Sequence, residues 1–172
     1  MSSELLGQLA YELWQTETSA SQHCRREAER LGDTPPARAL LLAAQHADAV
    51  MEQLPRFPLL KKGRRRSLGQ AIGKLFSIGR DAVMDKVLTS ERSYRGTLLG
   101  LRHGVDLVQL MEAAAVRAGD EELRSLFEQW LKQRTPLVEV VANELRWFAE
   151  RPEQAKRVVA FRRHKLRTQT SG

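Results

Sequence analysis

The run LRHGVDLVQLMEAAAVRAGDEELRSLFEQWLKQRTPL, residues 101–137, contains the pattern that decides the fold. Apolar residues recur at three- and four-residue intervals on both sides of Gly119, which predicts two amphipathic helices. Gly119 suits the left-handed position that ends a helix, and Asp120 can accept hydrogen bonds from the free N–H groups of the next one. The run therefore predicts two antiparallel helices, C and D, joined by a tight turn.

The same pattern continues on both sides of this run. We expect helix C to end at Ala118 and to be preceded by a weaker helix over residues 67–78. Helix D keeps its apolar face as far as Phe148, and Pro136 should bend or split it, because proline removes a backbone hydrogen bond. A last short helix is predicted over residues 153–165, followed by a polar tail.

The N-terminal part repeats the hairpin arrangement. An apolar stripe predicts helix A over residues 3–31, and Thr34 with two following prolines is an N-cap that starts helix B. Two prolines, a glycine and six basic residues in 55–66 break the helical pattern and predict a crossover connection rather than a tight turn. The sequence therefore predicts an all-α fold: a four-helix bundle of two antiparallel hairpins with a long crossover over 55–78, plus a short C-terminal helix.

Length and composition are typical of a globular helical protein. The chain has 172 residues, which is long enough to bury a core without disulfides or metals. It contains only 11 glycines and 6 prolines. We expect the bundle to occupy residues 1–151 and a basic helix and tail to occupy 152–172. Cys24 is the single cysteine, and the N-terminus lacks the pattern of a signal peptide, so we expect a cytoplasmic protein. No apolar run approaches the roughly 20 residues that span a bilayer.

The helix spacing and the glycine turn of residues 101–137 resemble one half of a ferritin-like protein of the rubrerythrin and YciF-like kind. In those families each half supplies a Glu from its first helix and a Glu-x-x-His from its second, and these side chains bind two metal ions. The resemblance places Arg134 at the Glu and Leu137 at the His of helix D. It places Leu101 or its neighbour at the Glu of helix C.

The first half of the chain, residues 10–54, fits the same template. The ligand pair of helix B falls near Asp48, and Glu17 is the carboxylate of helix A closest to the expected position. No Glu-x-x-His occurs in the chain. The resemblance therefore implies a degenerate ferritin-like bundle whose di-iron ligands are missing, with no cofactor and no enzymatic activity.

Three charged residues fall on lines that are otherwise apolar: Glu17, Glu91 and Arg134. A charge buried without a partner costs several kcal/mol, so Arg134 needs a carboxylate beside it, and Glu17 and Asp106 are the candidates. We interpret the four residues as an interior charged network, with a remnant metal or proton site as the alternative. No two histidines lie three or four residues apart, as a helical metal site requires, and we expect a dry, packed centre without metal.

The net charge of +7 is concentrated in two segments. Residues 61–90 contain eight basic and two acidic residues, and residues 151–172 contain seven and one. Cations next to apolar residues can bind phosphates or an anionic membrane surface; the alternative is a solvated loop and a solubilising tail. The candidate polyanion-binding residues are Lys61, Lys62, Arg64, Arg65, Arg66, Arg162, Arg163, Lys165 and Arg167.

Three hypotheses about function follow from these patterns. The first is a non-enzymatic helical bundle that acts as a binding or interaction module, with a protein partner or a second copy of itself. The second is a ferritin-like metal-binding or stress-related protein. The third is a binder of nucleic acid or of an anionic membrane through segments 61–66 and 162–167.

Overall fold

The computed structural model describes residues 2–67 and 88–158, and nearly all of them are helical. The elements within these ranges are α1 (Ser2–Leu31), α2 (Pro35–Gln53), a 3₁₀ turn (Leu54–Arg56), α3 (Pro58–Ser67), α4 (Ser90–Ala118), α5 (Glu121–Asn143), α6 (Leu145–Ala149) and α7 (Pro152–Ala155). No strand occurs in the described ranges. They contain one isolated antiparallel β-bridge, between Thr89 and Val158. No helix in these ranges combines the length and the apolar composition of a membrane span. The predicted all-α class is confirmed.

Both predicted hairpin turns form by the predicted capping. Gly119 ends α4 with a φ of 68°, a conformation that favours glycine. The Asp120 carboxylate then accepts the Leu123 N–H at 3.0 Å and caps α5. Between α1 and α2 the same roles fall to Gly32, with a φ of 65°, and to the Thr34 hydroxyl.

The four long helices pack as a bundle in which α1 contacts α2 and α4, and α5 contacts the same two helices. Ser93, near the start of α4, donates to Glu27, near the end of α1, at 2.6 Å, so these helices are antiparallel. Tyr94 likewise donates to the carbonyl of Val141, near the end of α5, at 2.9 Å. Since α2 and α4 are each antiparallel to α1, they run in the same direction.

The described part of the predicted crossover is more helical than the sequence pattern indicated. Residues 54–56 form the 3₁₀ turn and residues 58–67 form α3. Pro55 and Pro58 each stand in the first turn of a helix, where the missing N–H removes no hydrogen bond. Leu60 is fully buried, and its carbonyl accepts the Trp14 indole N–H at 2.7 Å, which attaches α3 to α1. The weak helix predicted over 67–78 lies almost entirely outside the described residues.

The predictions for the C-terminal part need two corrections. Of the two effects predicted for Pro136, the split is wrong, because α5 is continuous from Glu121 to Asn143; the helix is interrupted instead at Glu144. Pro136 is on the exposed side of the helix, where water can bind the freed carbonyl. The last helix ends at Ala155 rather than at Lys165, because the chain turns and bonds back to α4, with the Arg157 carbonyl accepting the Ser90 N–H at 2.9 Å. Residues 159–165 lie outside the described part.

The buried apolar residues form two clusters, one in each half of the bundle. The first contains large side chains such as Leu13, Met111 and Phe127. The second is rich in alanine, mainly from α2, and contains Tyr94 and Phe148. In α1 and α5, the residues between the two clusters include Glu17 and Arg134. The charged residues therefore form a polar layer between two apolar halves.

Candidate functional site

The centre of the bundle contains an ion pair between Glu17 of α1 and Arg134 of α5. Both side chains are completely buried, and Arg134 Nη2 donates to Glu17 Oε2 at 2.6 Å. The two helices lie diagonally across the bundle, so the pair joins its opposite corners. Of the two carboxylates that the sequence offered as partners of Arg134, the structure places Glu17 beside it.

His46 of α2 and Trp130 of α5 complete the surroundings of Arg134. Arg134 Nε donates to His46 Nδ1 at 2.9 Å, and the guanidinium carbon lies 4.9 Å from the centre of the Trp130 ring, a cation–π distance. Because Nδ1 accepts, the imidazole is neutral with its proton on Nε2, which lies 3.2 Å from Gln133 Oε1. One arginine thus holds together side chains from three of the four helices.

Burial dominates the electrostatics of this centre. It raises the pKa of Glu17, although the charge of Arg134 and its hydrogen bond act in the opposite direction. It lowers the pKa of His46 to about 4, and the charge of Arg134 adds to this effect. It also raises the pKa of the Cys24 thiol to about 12, so this cysteine is an inert thiol at neutral pH.

Glu91 and Asp106, the other two members of the predicted charged network, do not belong to it. Glu91 lies at the partly exposed start of α4 and pairs with Arg95 one turn later. Asp106 is exposed. Both belong to α4, whose buried face is formed by Leu101, Leu107 and neighbours at helical spacing, and residue 106 falls on the opposite side of that helix.

The positions that the ferritin-like resemblance assigned to ligands have different environments. Asp48 lies at the rim between α1 and α2, where it accepts from Ser21 at 2.6 Å and pairs with Arg25. Leu101 is buried in the core, and Leu137 is half-buried at the edge of α5. Among the described residues, no group of three or more His, Cys, Asp or Glu side chains could hold a metal ion.

Sequence reasoning missed the half-buried His46 and the buried Glu27, and it also missed four buried hydroxyl residues, Thr16, Ser19, Ser21 and Thr97. Glu27 is 2% exposed, pairs with Arg30 and accepts from Ser93 of α4. Two of these positions carried a signal: His46 lies three residues after Ala43 and four before Val50, and Glu27 lies three residues after Cys24. Each therefore continues an apolar line of its helix, which indicates a buried position.

The first basic segment lies on α3, at the surface. Lys61 and Lys62 are exposed, and the residue before them, Leu60, is buried against α1. Arg64, Arg65 and Arg66 continue the same helix, but their side chains lie outside the described part. The tail residues Arg162, Arg163, Lys165 and Arg167 also lie outside it.

The central cluster and α3 differ in what they can do chemically. At the centre, the carboxylate and the guanidinium neutralise each other and are closed to solvent, so neither is free to move protons for a substrate or to bind a cation. On α3, cations project into solvent from a helix that is fixed to the bundle. Comparisons of the chain with protein-family models, with curated proteins and with solved structures found no match.

Proposed function

We propose that this chain is a ferritin-like bundle without a di-iron site, and that it acts as a non-enzymatic binding module. The observation that carries the proposal is the buried pair of Glu17 and Arg134. Arg134 stands at a position where the resemblance expects a ligand carboxylate, and its guanidinium is paired with the buried carboxylate of Glu17. A cation entering this centre would be repelled by Arg134 and would find its carboxylate already paired.

The packing order of the helices also supports the ferritin-like part of the proposal. Two antiparallel hairpins with parallel α2 and α4 require one long crossover, which is the connection that distinguishes ferritin-like bundles from up-down-up-down bundles. The side chains that point into the centre, however, suit packing and pairing rather than metal binding.

Metal analysis of the purified full-length protein tests this proposal. We expect less than a stoichiometric amount of iron, manganese or zinc after expression with these metals supplied, and no shift in melting temperature on adding ferrous iron without oxygen. Two irons per chain would overturn the proposal and favour a ferritin-like metalloprotein with other ligands.

The exposed basic residues of α3 favour a polyanion as the binding partner. All charged residues of α3 are basic, Lys61 and Lys62 are exposed, and Leu60 with Trp14 fixes the helix on α1. The apolar side of α3 is thus used inside the protein and is not free to insert into lipid. Exposed cations on a helix that is fixed to the bundle can contact the phosphates of a nucleic acid, and such binding is electrostatic and independent of sequence.

Binding to labelled double-stranded DNA over a range of salt concentrations tests this second candidate. We expect the double variant Lys61→Gln, Lys62→Gln to have a shallower dependence of the binding constant on salt concentration, by an amount that corresponds to the loss of about two phosphate contacts. The matched control is Lys132→Gln with Lys156→Gln, which removes the same charge from exposed sites elsewhere. A chain ending at Val158 retains the bridge to Thr89 and measures the contribution of the tail. Equal effects of the two lysine pairs, or tighter binding to anionic vesicles than to DNA, would refute this candidate.

A further inference from the structure

Four buried polar atoms at the centre of the bundle have no hydrogen-bond partner among the described residues. These atoms are Thr16 Oγ1, Glu17 Oε1, Trp130 Nε1 and Arg134 Nη1. Each of the four side chains is more than nine-tenths buried. A buried polar atom that stays unpaired costs about 1–3 kcal/mol, so four in one region call for a common explanation.

The four side chains are neighbours. Glu17 and Arg134 are joined by their hydrogen bond, and the Arg134 guanidinium lies over the Trp130 ring. The Trp130 indole N–H faces Glu17 closely enough to lower the pKa of that carboxyl, although its geometry falls short of a hydrogen bond. Thr16 and Trp130 both flank Gly104 of α4: a Cβ there would lie 3.1 Å from Thr16 Cγ2 and 3.8 Å from Trp130 Cη2.

The bonding capacity of these atoms fits one kind of ligand. Arg134 Nη1 and Trp130 Nε1 are donors, Glu17 Oε1 is an acceptor, and the Thr16 hydroxyl can serve as either. An anion would be repelled by the Glu17 carboxylate, and a cation by Arg134. A neutral molecule that accepts two hydrogen bonds and donates two satisfies all four atoms at once, and a water molecule has this capacity.

We propose that the bundle has an internal binding site for one water molecule, formed by Thr16, Glu17, Trp130 and Arg134. The water accepts from the arginine and the indole and donates to the carboxylate and the hydroxyl. It belongs to the native structure, because removing it would leave four polar atoms unpaired between two apolar clusters. The centre is then a hydrated polar layer rather than the dry core expected from the sequence.

The three tryptophans of the chain make this proposal testable by NMR in the full-length protein. A water molecule held inside the protein gives a direct NOE to a nearby indole N–H. This NOE has the same sign as NOEs between protons of the protein, because the bound water tumbles with it. We expect this signal at Trp130. Trp14 is the internal control, since its indole N–H is buried and donates to the Leu60 carbonyl, and it should give none. The indole N–H resonance of Trp130 is assigned from its loss in the Trp130→Phe variant. If that variant does not fold, through-bond correlation assigns it.

A hydroxyl proton that exchanges with solvent can imitate a bound water, so Thr16→Val is measured as well. Valine has nearly the shape of threonine, and the water keeps three partners in this variant, so the Trp130 signal should persist. The absence of the signal from the folded wild-type protein, or its loss in Thr16→Val, would overturn the proposal. If the variant does not fold, a high-resolution crystal structure decides, by the presence or absence of an ordered water bonded to Trp130 Nε1 and Arg134 Nη1.

Discussion

The charge of Arg134 is balanced inside the bundle by a single carboxylate, that of Glu17, and both side chains are fully buried. We expect Arg134→Leu alone to lower the free energy of unfolding by about 3–5 kcal/mol, because it leaves a buried carboxylate without its partner. The double variant with Glu17→Leu should be close to the wild type, because the pair disappears together with its desolvation cost. Urea unfolding at neutral pH measures both.

The single variant should also respond to pH. Without Arg134, burial outweighs the remaining influence of Trp130 and raises the pKa of Glu17 in the folded state above the unfolded value. A carboxyl of this kind favours folding below its unfolded pKa, and the advantage is lost as the pH rises through the folded pKa. Equal unfolding midpoints for the single and double variants would contradict this account. The matched control is Arg38→Leu, which removes an arginine from an exposed ion pair with Asp33.

His46 should make the protein less stable in mild acid. Its pKa falls from 6.5 to about 4 in the folded state, so the unfolded chain binds more protons between these values. Stability is therefore complete above pH 6.5 and declines as the pH falls towards 4, by roughly 1–2 kcal/mol after allowance for the partly exposed ring. His46→Gln should flatten this part of the stability profile.

At the scale of the element, Pro136 imposes a cost on α5. It lies inside a continuous helix, on the exposed side, where proline is less favourable than alanine by about 3 kcal/mol. We expect Pro136→Ala to raise the free energy of unfolding by about 1–3 kcal/mol, since it restores the hydrogen bond to the carbonyl of residue 132. Thermal unfolding measures the gain.

The matched control is Pro35→Ala, at the exposed first position of α2, where proline removes no hydrogen bond. This variant should be neutral or slightly less stable, because alanine gives the unfolded chain more freedom. A similar gain at both sites would show that the position of Pro136 in the helix is not the cause.

The elements were more predictable than the site, for a physical reason. Helices and caps depend on residues close in sequence, so Gly119 with Asp120, and Gly32 with Thr34, could be identified from the chain alone. The partners of Arg134 lie far away in sequence, and only packing decides which of them it meets. Glu17 could be proposed because it interrupts an apolar stripe, but its bond to Arg134 joins residues 117 positions apart.

The sequence also suggested two false members of the network: Glu91, because it falls on an apolar line of its helix, and Asp106, as a possible partner of Arg134. Glu91 and Asp106 lie near apolar lines of α4, but a shift of one residue along a helix rotates a side chain by about 100°. That rotation separates the buried face from the exposed one. The structure of α3 was missed for a related reason: prolines that usually interrupt a helix begin one here.

At the scale of the whole molecule, the polar layer divides the interior into a half with large side chains and a half rich in alanine. Ala43, Ala44 and Ala47 of α2 are all fully buried, which indicates close packing that leaves little room for larger groups. We therefore expect Ala43→Leu to lower the free energy of unfolding by about 1–3 kcal/mol through overpacking. Ala49→Leu, on the exposed side of the same helix, should have little effect.

The opposite change tests the other half of the interior. Leu13→Ala should cost about 2–5 kcal/mol, because it leaves a cavity among large neighbours. If each half is packed to its own side-chain volume, adding Ala43→Leu to Leu13→Ala should not restore stability. The two losses in the free energy of unfolding should add in urea unfolding, because the polar layer separates the two sites. Recovery of stability in the double variant would mean that volume is shared across the layer and that the two clusters form one deformable core.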